Sequence, residues 1–133
     1  MGEEINKVPG IIKHKFIQPF IYNLSYSKIQ ETLLVTLETG NVFGYRQGRV
    51  DDRLFCIEGH TTRIPRAEFY EANTNLLLTV SDDLSWALWH TESTNCYKKV
   101  QLNNKANWVE SLSDGSILVS DIEGVFNRFY IKS

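Results

Sequence analysis

A Gly-His pair, Gly59-His60, opens a segment that closes on Trp89, 29 residues after the histidine, with Thr79 and Asp83 in between. Asp83 follows Thr79 by four residues and precedes Trp89 by six. Around this set the chain is cut into short apolar or alternating runs separated by turn residues. Ile21–Tyr26 alternates apolar and polar residues and reads as a half-buried strand. Leu33–Leu37 follows as a short apolar run, Thr39-Gly40-Asn41 as a turn and Val42–Tyr45 as a third strand. Asp51-Asp52 then turns into Arg53–Ile57, which leads into Gly59-His60. Later strands are expected at Arg63–Tyr70, Leu76–Ser81, Ser85–His90, Cys96–Leu102, Trp108–Leu112, Ile117–Ser120 and Val125–Ile131, with Asp114-Gly115 and Glu123-Gly124 as turns. Strand signals spaced by about eight to twelve residues are the pattern of an all-β chain. No stretch repeats its apolar residues at the helical period, so helix content is expected to be low.

The stretch Gly59 to His90 resembles one complete repeat of the WD-repeat β-propeller superfamily, the unit that builds one blade. The resemblance implies a role for each residue. His60 would donate to the hydroxyl of Thr79 on the second strand, and Asp83, in the tight turn before the third strand, would hold the other ring nitrogen. Trp89 would close the chain with an indole N–H, which can only donate. Two residues depart from the family pattern: His90 stands where an Asp follows the Trp, and Leu84 replaces the Gly after the turn acid. Trp89 corresponds to Tyr45 in the preceding unit and to Phe129 in the following one. The turn acid is represented there by Glu38 or Thr39, and by Asp121 or Glu123. His14 and Asn103-Asn104 lie where further Gly-His pairs belong.

The expected architecture is a partial propeller, an open arc of about three four-stranded antiparallel blades. Residues 1–18, with Ile11–Ile17, read as the outer strand of a preceding blade. Residues 19–58 read as a degenerate blade, 59–102 as the best-formed one and 103–133 as an incomplete closing blade. A closed propeller needs about four to eight blades, and each blade buries its faces against two neighbours. The chain is therefore expected either to be part of a larger propeller or to self-associate through its open blade faces.

Composition narrows the function. Hydrophobic residues make up 42% and charged residues 23% of the 133 positions, which is globular and not disordered. A formal net charge of −2 argues against a nucleic-acid surface, which carries a basic patch. The start of the chain has no basic region followed by an apolar core, no run reaches membrane-spanning length, and the Asn23-Leu24-Ser25 sequon lies inside a strand. The expected location is cytoplasmic, nuclear or both, with Cys56 and Cys96 reduced and partly buried.

The three histidines, His14, His60 and His90, have no metal-ligand spacing, so neither metal nor cofactor is expected. His60 with Thr79 and Asp83 has the composition of a hydroxyl–His–carboxylate triad. In a blade, however, this constellation is buried and closed off by Trp89, so the chain is read as non-catalytic. What remains is surface. Arg63, Pro65 and Asp82 on the middle blade, with Tyr22 and Trp108 at comparable places on its neighbours, are candidates for a protein-binding rim, since Arg, Tyr and Trp anchor interfaces. Tyr22 and Trp108 could equally pack between blades.

A narrower resemblance follows from Leu76–Thr79, Asn107-Trp108 and Ile117–Asp121, whose order is similar to that in the WD repeat-containing protein 53 family. It implies a substrate-receptor subunit of a cullin-4 ubiquitin ligase, partnered with the ligase adaptor. Adaptor-binding blades end in Trp-Asp-x-Arg, whereas here the sequence is Trp89-His90-Thr91-Glu92. The alternative is a general structural subunit of a coat, ribosome-biogenesis or ciliary assembly.

Overall fold

The computed structural model describes residues 21–131. The strand expected at Ile11–Ile17 and His14 lie outside the described residues. Eleven strands in three separate antiparallel sheets make up the secondary structure of the described residues. The first blade is β1 (Ile21–Ser27), β2 (Thr32–Leu37), β3 (Asn41–Arg46) and β4 (Arg53–Glu58), paired in that order. The second is β5 (Arg66–Phe69), β6 (Leu76–Ser81), β7 (Ser85–His90) and β8 (Cys96–Gln101). The third has β9 (Ala106–Ser111), β10 (Ser116–Asp121) and β11 (Phe126–Tyr130). The result is an all-β, unclosed partial propeller of two four-stranded blades and one three-stranded blade.

Most strands begin and end within two residues of where the sequence puts them. β5 is the exception, starting at Arg66 instead of Arg63. Pro65 accounts for this, because it has no N–H to give to a ladder and confines pairing to the residues after it. Cys96 also differs from expectation: it is exposed, while Cys56 is half-buried, and both are free thiols.

Side-chain alternation assigns each blade two faces. Leu34, Val42, Phe55 and Ile57 of the first blade pack against Ile64, Ala67, Leu77, Ala87 and Trp89 of the second. The opposite face of the second blade, with Leu76, Leu78, Val80, Trp86 and Leu88, packs against Ala106, Val109, Ile117 and Val119 of the third. The middle blade thus buries both faces, which is why every residue of β6 is buried and why Leu76-Leu77-Leu78 is a continuous apolar run.

Polar contacts pin the same junctions. Asn23 Nδ2 donates to Pro65 O at 2.7 Å, joining the first two blades. Between the second and third, the Glu68 carboxylate accepts from Ser111 N at 2.8 Å and Ser111 Oγ at 3.0 Å. The Tyr70 hydroxyl donates to Gly115 O at the same end.

Strand register makes the blades comparable position by position. Leu77 pairs with Trp89 in the second blade, Leu33 with Tyr45 in the first and Ile117 with Phe129 in the third. Two residues further along the second strand stand Thr79, Val35 and Val119. The two flanking blades therefore carry an isosteric apolar residue where the middle blade carries a hydroxyl.

Candidate functional site

The best-defined polar constellation lies inside the middle blade. Thr79 pairs with Ala67 on one side and Ala87 on the other. This row of small side chains leaves the space that the His60 and Trp89 rings occupy. The corresponding rows are Leu24-Val35-Phe43 in the first blade and Val109-Val119-Asn127 in the third, both bulkier. Gly59 supplies the other wall. A Cβ there would lie 1.9 Å from Cη2 of Trp89, so the residue before His60 has to be glycine for the indole to fit.

Within that space His60 Nδ1 is 2.9 Å from Asp83 Oδ2, and His60 Nε2 is 2.7 Å from Thr79 Oγ1. Trp89 Nε1 donates to the same Thr79 oxygen at 2.8 Å. The histidine side chain has no exposed surface. Its ring meets that of Trp89 edge to face, with centroids 5.5 Å apart. Burial pushes the His60 pKa below its ordinary value, against the hydrogen bond and charge of Asp83, which raise it.

A neutral imidazole fixes every proton in the chain. Nδ1–H donates to the carboxylate, the Thr79 hydroxyl donates to Nε2, and the indole N–H donates to the Thr79 oxygen. The donation between His60 and Thr79 therefore runs opposite to the direction the repeat pattern implies. In the reverse direction His60 would be charged and the threonine proton would be left without an acceptor.

Sequence reasoning missed one member of the group. Ser85 Oγ donates to Asp83 Oδ1 and lies 3.3 Å from His60 Nδ1. Asp83 also accepts from Thr61 N at 3.4 Å, while its own N–H donates to Ser81 Oγ at 3.2 Å. Burial pushes the Asp83 carboxyl up, and the hydrogen bonds from Ser85, His60 and Thr61 more than offset this, leaving it below the ordinary carboxylate range. The hydroxyl two residues after the turn acid was the available signal.

Chemically this group is closed. The hydroxyl that would act as a nucleophile is fully buried, donates to His60 and accepts from Trp89. Its proton and the lone pair facing Trp89 are thus already engaged within the blade, whereas a nucleophile has to reach a substrate atom. Among the described residues, no group of three or more His, Cys, Asp or Glu side chains could hold a metal ion.

The rim candidates fall into two sets. Arg63, just before β5, has Nε 3.0 Å from Asp82 Oδ2, and its guanidinium carbon lies 5.3 Å from the centre of the Tyr22 ring. Lys105 Nζ approaches the same Asp82 oxygen at 3.7 Å. Tyr22, Arg63, Asp82 and Lys105 thus form one continuous patch at the ends of three blades. Trp108 is not part of it. Lying inside β9, it has the Arg66 guanidinium over its ring at 4.3 Å and donates from Nε1 to Glu110 at 3.0 Å. Pro65 contributes its carbonyl to Asn23 and so joins blades. Sequence reasoning missed Lys105, whose role depends on how the third blade is set against the second.

No protein-family model and no curated protein sequence matches the chain. Solved structures do match its fold. The WD40 domain of Toxoplasma gondii coronin is 15% identical with a TM-score of 0.72, over 83% of this chain and 30% of that one. The WD40 propeller domain of Doa1 is 15% identical with a TM-score of 0.69, over 83% of this chain and 36% of that one. The Cps50 (Swd1) β-propeller domain of Myceliophteria thermophila is 13% identical with a TM-score of 0.70, over 89% and 39%. The fold is that of WD40 propeller blades, and the chain spans about a third of the length of these domains.

Proposed function

We propose that this chain is a non-catalytic scaffold that docks other proteins on the rim formed by Tyr22, Arg63, Asp82 and Lys105. The observation that carries the reading is the fixed guanidinium of Arg63, oriented by Asp82 and by the Tyr22 ring while its side chain stays 45% exposed. A cation held in place at a surface has lost its conformational entropy before a partner arrives, which favours binding. The polar group around His60, by contrast, is consumed in holding the blade together.

The finer reading, drawn from the resemblance to the WD repeat-containing protein 53 family, is a substrate receptor of a cullin-4 ligase in the cytoplasm or nucleus. Glu92 stands where adaptor-binding blades carry Arg, so the adaptor contact would have to come from outside the middle blade. Affinity capture with the wild-type chain and with Arg63→Ala and Tyr22→Ala variants tests both levels. Partners lost from both variants, with unfolding midpoints unchanged, support docking at the rim. Partners retained by both variants refute it. Recovery of the cullin adaptor supports the finer reading, and a fixed stoichiometric complex without the adaptor refutes it in favour of a general structural subunit.

A further inference from the structure

We propose that the unfilled guanidinium fork of Arg63 receives a carboxylate from an acidic segment of the partner protein. The inference rests on the rim being the docking face and adds the chemistry of what docks there. Arg63 meets Asp82 as an ion pair on its Nε side, at 3.0 Å, and its guanidinium carbon lies 5.3 Å from the centre of the Tyr22 ring. Among the described residues, its two Nη groups have no hydrogen-bond partner. Their N–H pairs lie in the fork geometry that meets a carboxylate through two parallel hydrogen bonds.

Charge at this place is segregated by depth. The Asp82 side chain is only 12% exposed, whereas the two cations drawn to it, Arg63 and Lys105, are 45% and 46% exposed. The acid is turned inward and the bases outward, so at Arg63 and Lys105 the more exposed charge is positive, although the chain as a whole carries −2. Glu123, one residue after Ile122, is exposed and accepts from Asn104 Nδ2 at 3.1 Å. Tyr22 beside the fork and Ile122 beside Lys105 leave apolar surface exposed, 41% and 63% respectively. The backbone N–H of Ile122 donates to Lys105 O at 3.0 Å, which ties it to the patch.

The site therefore fits an aspartate or glutamate flanked by an apolar side chain. A phosphate group fits less well, because its second negative charge would add to that of Asp82 against the same two cations.

The test uses a short fluorescein-labelled peptide of glutamates around one phenylalanine, with counterparts carrying glutamine or phosphoserine instead, read by fluorescence polarisation on the full chain. The glutamate peptide should bind at least tenfold more tightly than the glutamine peptide and weaken with added salt. Arg63→Lys keeps the charge but lacks the fork, and should lose about tenfold; an unchanged urea midpoint shows that it is folded. Four results overturn the proposal: equal binding of the glutamate and glutamine peptides, no binding of either, wild-type affinity in Arg63→Lys, or tighter binding of the phosphoserine peptide. The docking reading fails separately. If captured partners depend on the rim but their bound segment is neutral or basic, docking stands and the acidic assignment falls.

Discussion

Thr79→Val isolates the contribution of one hydroxyl. The oxygen sits at a node, giving its proton to His60 Nε2 at 2.7 Å and accepting from Trp89 Nε1 at 2.8 Å. Valine fills nearly the same volume, and the flanking blades already hold Val35 and Val119 at this register, so the backbone accommodates it. No cavity opens. The substitution instead strands one acceptor and one donor in a space that water does not reach. Two hydrogen bonds at about 1 kcal/mol net set a floor near 2 kcal/mol, and desolvation of each orphaned group, about 1–3 kcal/mol, raises the expectation to roughly 3 kcal/mol. For a chain of this size that lowers the thermal midpoint by roughly 10 °C. Urea unfolding at neutral pH should show a lower midpoint with an unchanged slope. A loss under about 1 kcal/mol would refute the reasoning. The double variant with Trp89→Phe sharpens the test: phenylalanine removes the stranded indole N–H, so Trp89→Phe should cost about 1 kcal/mol less in the Thr79→Val background than in wild type. Strict additivity would mean that the two side chains are not coupled.

Three further outcomes are expected. Stability should fall on acidification below about pH 6.5, because the folded pKa of His60 lies below its unfolded value and the unfolded chain takes up the proton first. The depressed Asp83 carboxyl adds a second loss in the same direction at more acid pH, and a urea midpoint that is level or rising between pH 7.5 and 5.5 would contradict the neutral imidazole. Gly59→Ala should destabilise by about 1–3 kcal/mol as an overpacking change, since Trp89 is tied to Thr79 and cannot shift freely; an unchanged denaturation midpoint would argue against the contact. Leu84→Gly should stabilise by up to about 1 kcal/mol, because Leu84 holds a φ of 70°, a left-handed conformation that suits glycine. A thermal scan showing a lower midpoint would refute that.

What was legible in the sequence is what depends on near neighbours. Strand positions followed from alternation and turn residues, and the His60–Thr79–Asp83–Trp89 set was implied by the resemblance of Gly59–His90 to one repeat. The direction of proton donation was not legible, because it depends on the burial that lowers the His60 pKa. The small Ala67-Thr79-Ala87 row could not be read until register was known, since these residues are not adjacent in sequence. Trp108 was placed on the rim by its position near the start of a strand, but Arg66 reaches across from the second blade and stacks on one side of its ring, leaving it 45% exposed away from the Arg63 patch. Lys105 was missed for the converse reason, since its approach to Asp82 spans two blades.

The turn at Gly40 belongs to the first blade, yet it is part of how the second is assembled. Its φ is +93°, its carbonyl accepts from His60 N at 3.4 Å, and a methyl group there would lie 2.2 Å from His60 O. The backbone that launches the histidine is thus seated on a residue 20 positions upstream, and the indole it faces belongs to one apolar cluster with Leu34, Phe55 and Ile57 of that same earlier sheet. Cutting the chain at Gly59 would give a fragment holding every member of the buried polar group and nothing to press them together. The natural module is offset from the sequence repeat, and an excised peptide that folds would have to begin with the strands before it.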